Sequence, residues 1–133
     1  MFTTKKITTT KAPRAIGPYS PGIAVNDFLF TSGQIALNPK NNEIIKGGIK
    51  AQTRRVIQNL KMIILSAGGK IENTIKTTVY LKNLDDFQEM NDVYAQFFKN
   101  KPARSTVEVK RLPKNALIEI EAIVFLNHGK RKN

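Results

Sequence analysis

The stretch at 102–124, PARSTVEVKRLPKNALIEIEAIV, constrains the fold most tightly, because it holds two runs of alternating side chains parted by a proline-bearing connection. Residues 105–109 and 117–124 repeat with period two, the spacing of sheet strands, and 110–116 between them contains Pro113 and Asn115 as turn formers. Alternate strand residues share a face, so Arg104, Thr106 and Glu108 point one way, while Glu119, Glu121 and Ile123 line one face of the second strand. Charges therefore stand where an all-apolar sheet would not place them. Arg104, at the mouth of the first strand, presents a rigid fork able to grip a planar carboxylate, or else is a solvated strand end. Glu119, set between Ile118 and Ile120, either faces outward or needs a partner, a neighbouring subunit or a task.

The remaining elements are legible in order. Residues 6–10, β-branched and basic, read as a short edge strand. Gly17 to Gly22 is dense in turn formers and presents Tyr19 on a loop between two prolines. Tyr19 is then a phenol free to hydrogen-bond a ligand, or an aromatic lid over the core edge. Asn26-Asp27 joins 23–25 to 28–31 as a tight hairpin. Ser32-Gly33 follows, a hydroxyl beside a glycine whose backbone N–H groups an anion can approach. Residues 38–42 read as a surface loop.

Helical spacing runs over 48–67 through Ile49, Val56, Ile57, Leu60, Ile63, Ile64 and Ala67, stopped by Gly68-Gly69. Arg54, Arg55 and Lys61 fall outside that stripe and read as a solvated face. Residues 75–82 alternate as a third clear strand. Asp85 or Asp86 caps a second helix reaching about Lys99, with Phe87, Met90, Tyr94 and Phe97 as its stripe and Val93 and Phe98 beside it. Asn91 beside the stripe is a buried amide satisfying backbone or a pocket residue. The order of elements predicts an α+β fold with two helices on one face of a mixed sheet. The other face, with Val, Ile and Thr among its charges, calls for a partner, and self-association supplies one.

Composition narrows the chemistry. At 133 residues the chain, 1–133, is expected to be a single domain, with 128–133 a flexible basic tail. The absence of cysteine excludes disulfides, thiolate metal sites and cysteine nucleophiles. One histidine, His128, argues against Ser-His triads and histidine-clustered metal sites. The net charge of +12 favours anionic partners at long range, yet the lysines are scattered and only 130–132 form a cluster. No apolar run is long enough to span a bilayer, so no membrane partner is expected. Residues 1–14, basic and free of acids, share their composition with organelle presequences, but lack a secretory apolar core; a cytoplasmic location is expected, with an organellar address left open.

PARSTVEV followed by KRLPKNALIEIEAI resembles the C-terminal signature of the Rid/YjgF family, known for reactive intermediate (enamine/imine) deaminases. The likeness continues in AIGPYSPGI at 15–23, FTSGQIALNP at 30–39 and KTTVYLKNLDDFQEMNDVYAQFF at 76–98, so it covers nearly the whole chain in unbroken order.

That resemblance implies a chorismate-mutase-like fold and a homotrimer with sites in clefts between neighbouring subunits. It implies hydrolysis of 2-aminoacrylate-type enamines, or their imine tautomers, to 2-keto acids and ammonia, with no metal or organic cofactor. Arg104 would clamp the substrate carboxylate, the Ser32-Gly33 segment would add hydrogen bonds, Glu119 would handle the proton or the water, and Tyr19 would close the mouth. Asn91 would lie near the pocket. Some members carry cysteine two residues after the clamp arginine; here Thr106 stands there, which removes a thiolate role and keeps a backbone one. Arg104 and Glu119 are expected to come from neighbouring strands and converge on one crevice between chains. Family members are also described as single-strand-specific ribonucleases inhibiting translation, so RNA is the weaker alternative, lacking a histidine base and a basic patch interleaved with aromatics. Non-catalytic binding of small carboxylates is a third reading.

Overall fold

The computed structural model describes residues 3–126. The chain runs β1 (Thr4–Ile7), β2 (Gly22–Val25), β3 (Phe28–Thr31), β4 (Leu37–Asn38), β5 (Glu43–Ile44), α1 (Ile49–Ser66), β6 (Thr74–Leu81), α2 (Phe87–Phe97), β7 (Ala103–Glu108) and β8 (Ile118–Phe125). Six strands form one mixed sheet in the order β1-β2-β3-β8-β6-β7, and β4-β5 form a separate small hairpin. Both helices pack on the same sheet face: Ile63 of α1 lies against Gly22 and Leu29, and Tyr94 of α2 hydrogen-bonds Thr77 of β6. The expected α+β arrangement of two helices on a mixed sheet is therefore present.

Alternation puts Val79, Leu81, Ile118, Ile120, Ala122 and Val124 into the core between sheet and helices. Each such large side chain contributes about 1.5–3 kcal/mol on burial, so the sheet's inner face and the α1 stripe supply the main cohesion. Gln52, Thr53 and Asn59 break the α1 stripe, and all are buried. Each is satisfied: Gln52 accepts from the Leu117 backbone N–H at 3.0 Å, tying α1 to the start of β8, and Thr53 Oγ1 donates to the Ile49 carbonyl at 2.7 Å.

Local signals placed most boundaries closely. Asn26 adopts the left-handed region at φ 51° in the two-residue turn between β2 and β3. Gly68, at φ 84°, ends α1, its N–H bonding Leu65 and that of Gly69 bonding Ile64, the double closure of a Schellman motif.

Three readings need correction. The edge strand lies at Thr4–Ile7, where pairing with β2 exists, not at 6–10. Residues 38–42 are not merely surface loop: they turn between β4 and β5, and Asn42 is buried, donating to the Arg14 carbonyl. The acids before α2 make no side-chain cap; Asn83 accepts from the Asp85 N–H at 2.9 Å, opening a short 3₁₀ turn that leads into the helix.

Candidate functional site

β7 and β8 are not neighbours. β6 lies between them, parallel to β7 and antiparallel to β8. The register sets Arg104 opposite Thr77 and Glu119 opposite Tyr80. Residues 77 and 80 are an odd number of steps apart on one strand, so they face opposite sides. Within one chain Arg104 thus looks toward the helices and Glu119 toward the open face, which corrects the expectation that adjacent strands carry them. The sequence contains the alternation of each strand but not the order in which strands pair.

On the helix side the Arg104 guanidinium carbon lies 4.7 Å from the Tyr94 ring centroid and 5.5 Å from that of Phe87, both on α2. Such stacking orients the planar fork while leaving its N–H edge for an anion. Tyr94 is itself fixed from below, its hydroxyl 2.7 Å from Thr77 Oγ1. Burial raises the Tyr94 phenol pKa, with the Thr77 hydrogen bond and Arg104 pulling it down. Arg104, Tyr94 and Asn91 line a concavity of about 430 Å³ open to solvent at Lys99 and Lys101. Thr106 pairs with the buried Val79, on the same face as Arg104.

On the open face Glu119, Tyr80, Glu121 and Thr78 share one side of the β6-β8 pair. Burial raises the Glu119 pKa first, and the like charge of Glu121 adds to it, so this carboxyl holds its proton more tightly than an ordinary glutamate. Tyr80 is raised by burial and by the carboxylates of Glu121 and Glu119.

Gly33 reaches Glu119 because Gln34 bridges Ile120, its N–H bonding the Ile120 carbonyl at 2.9 Å and its carbonyl receiving the Ile120 N–H at 3.1 Å. Tyr19, Gly33 and Glu119 line one narrow crevice with Arg14, Ile16 and Pro113, of about 50 Å³. Tyr19 is 46% exposed, and its hydroxyl accepts from the Ile16 N–H at 3.3 Å, folding the ring over its own loop. Ser32 Oγ donates to the Ser20 carbonyl at 2.6 Å and its N–H bonds Pro21, which pins the Tyr19 loop to β3. The Ser32 hydroxyl is thus a scaffold donor whose lone pairs alone remain for a ligand.

The structure therefore gathers Tyr19, Gly33 and Glu119 around one crevice, with Ser32 beside it holding the Tyr19 loop, and sets Arg104, Asn91 and Thr106 on the other face of the sheet. Sequence reading missed Tyr94 and Thr77 as the support beneath Arg104; the phenol among apolar stripe residues was the available signal. Arg14 and Tyr80 carried none. Among the described residues no cluster of His, Cys, Asp or Glu is arranged to hold a metal ion.

The fold and these pockets define a small α+β domain with an acid-bearing crevice on one sheet face and a stacked arginine on the other. Endoribonuclease L-PSP is the family whose profile matches residues 9–126. The chain is 55% identical over 120 residues to a RutC family protein of Pyrococcus horikoshii, covering 90% of this chain and 95% of that one. A Rid family protein, YyfA of Yersinia pestis, superposes with a TM-score of 0.89 at 44% identity, covering 92% of this chain and 99% of that one. E. coli TdcF, solved with bound serine, superposes with a TM-score of 0.87 at 43% identity, over 91% and 98% of the two chains. The chain belongs to the Rid family, which also carries the names RutC and Endoribonuclease L-PSP.

Among the described residues no helix is long and apolar enough to cross a membrane. His128 and the 128–133 tail lie outside the described residues.

Proposed function

We propose that this single Rid domain is a cytoplasmic enamine/imine deaminase, hydrolysing 2-aminoacrylate-type intermediates, as 2-iminopropanoate or 2-iminobutanoate, to 2-keto acids and ammonia. The observation that carries the reading is the Glu119 carboxyl: half-buried, packed on Gly33 and holding its proton more tightly than an ordinary glutamate because of burial and the nearby Glu121, it suits a group that gives and takes a proton. Serine bound to the relative TdcF supports a ligand with an amino-acid carboxylate.

The site is completed by a neighbouring copy in a homotrimer. A crevice of about 50 Å³ is far below the roughly 300–1,000 Å³ of ordinary ligand pockets, so the Glu119 side needs another wall. The open face also exposes Phe28, Phe30 and Phe125 at 37%, 44% and 38%, an apolar surface suited to a second copy. A chorismate-mutase-like trimer would bring the Arg104 side of one subunit to the Glu119 side of the next.

In that cleft Arg104 holds the substrate carboxylate as a bidentate clamp, and Asn91 and Thr106 border it. The protonated Glu119 donates to C3 of the enamine, giving the iminium. Its carboxylate then accepts a proton from water as the oxygen bonds to C2. The carbinolamine nitrogen takes the proton back from Glu119, C2–N breaks to release ammonia, and the hydroxyl oxygen forms C2=O while returning its proton to Glu119, which restores the protonated acid. Tyr19 closes the mouth over the reacting carbon, and the Ser32-Gly33 backbone faces the substrate. An imine is electrophilic already, so the cycle invokes no cofactor.

The test supplies 2-aminoacrylate from a dehydratase and follows keto-acid release. Acceleration by the wild type, lost in Arg104→Ala and Glu119→Gln, is expected; release no faster than the uncatalysed rate overturns the assignment. The net charge of +12 favours a second reading, ribonuclease action on single strands. RNA cleavage that follows the protein through purification and vanishes in Arg104→Ala would promote it.

A further inference from the structure

Where the β4-β5 turn, α1 and the end of α2 meet, a basin of about 770 Å³ is lined by Lys11, Lys40, Arg55 and Lys61, with no acidic residue in its wall. Met62 and Phe97 add an apolar surface to the same wall. The basin shares no residue with the Glu119 crevice or the Arg104 concavity.

Arg55 is built into place rather than splayed into solvent. Its Nε donates to Asn59 Oδ1 at 3.1 Å, and Asn59, fully buried, donates through Nδ2 to the carbonyls of Ile35 at 3.3 Å and Leu37 at 3.0 Å. Holding Nε this way aims the terminal guanidinium nitrogens away from the helix. Burial lowers the Arg55 pKa, so the position is costly for a cation with no counter-charge. Among the described residues none of the basin's cations pairs with a carboxylate; Lys50 and Asp92, 3.9 Å apart, pair elsewhere. A preset guanidinium, flexible ammonium groups around it and no competing acid are what a multiply charged phosphate requires. The volume lies in the range that takes a ligand of nucleotide size, and Met62 and Phe97 offer contact to a flat ring.

We propose that this basin binds a phosphorylated small molecule of nucleotide size, at a site separate from the imine cleft and independent of that assignment. Lys11, Lys40, Arg55 and Lys61 take the phosphate oxygens, and Met62 and Phe97 take the ring.

Calorimetric titration with ADP and with inorganic pyrophosphate tests this. The exposed pair Lys40→Glu/Lys61→Glu is compared with Lys5→Glu/Lys70→Glu, which changes charge equally outside the basin. ADP is expected to bind the wild type more tightly than pyrophosphate does, since pyrophosphate has no ring. The basin pair should weaken ADP by about tenfold or more, through loss of two charge-assisted contacts, and the control pair by less than about twofold. Equal loss in both pairs would reduce the effect to net charge and overturn the site. So would no detectable ADP binding, or binding of a single-stranded oligoribonucleotide where ADP does not bind.

Discussion

Glu119 fills the volume that a side chain on Gly33 would need: a Cβ there overlaps Oε2 and lies 2.8 Å from Cδ and 2.9 Å from Cγ. The glycine is therefore a space requirement set by an acid eighty-six positions later in the chain. Gly33→Ala should push the carboxylate out of its crevice while the fold survives. Keto-acid release should fall by about 10²-fold, as misplacing a reacting group by an ångström does. Circular dichroism should stay native, and full activity in the folded variant would mean that Glu119 works from another position.

The raised Glu119 pKa fixes a sign for stability. A carboxyl whose folded pKa exceeds its unfolded value stabilises the fold below the unfolded pKa and loses that contribution as pH rises through the folded one. Glu119→Gln removes the titration, so the variant should gain on the wild type in urea unfolding as pH rises from about 4 toward neutrality. A gap between the two proteins that widens instead toward low pH would contradict the burial of this carboxyl.

Arg104 rests on a tyrosine that rests on a threonine. Tyr94→Phe keeps a ring under the guanidinium but strands Thr77 Oγ1, costing about 1–3 kcal/mol of stability with little change in KM. Tyr94→Leu removes the ring as well, and KM for the imino acid should rise. Arg104→Lys should raise KM further, because an ammonium cannot make the bidentate contact.

Asn59 satisfies two backbone carbonyls and the Arg55 Nε from a position with no solvent. Asn59→Leu should cost about 2–4 kcal/mol, read by urea denaturation, since Ile35 and Leu37 lose their donor. A variant as stable as the wild type would mean that those carbonyls find other partners.

Sites shared between subunits make a counting prediction. Arg104→Ala and Glu119→Gln are each expected to be inactive, but unfolding and refolding them together should restore roughly a quarter of wild-type activity, the share of junctions joining an intact Arg104 to an intact Glu119. Phe30→Glu on the open face should leave monomers in sedimentation equilibrium and abolish activity.

The sequence by itself determined the elements: period two marked β6, β7 and β8, period near 3.6 marked both helices, and Asn26 and Gly68 announced a turn and a helix end. These are local properties, carried by neighbouring side chains and backbone dihedrals. It also fixed that Arg104 and Thr106 share a face and that Glu119 and Glu121 share another. Only the tertiary structure decided that β6 enters between β7 and β8, which sends Arg104 and Glu119 to opposite sides of one sheet. It likewise decided that Asn59 is a buried strut and that Gly33 meets Glu119. Pairing order and long-range contact depend on which surfaces bury together, and no short window of residues contains that information.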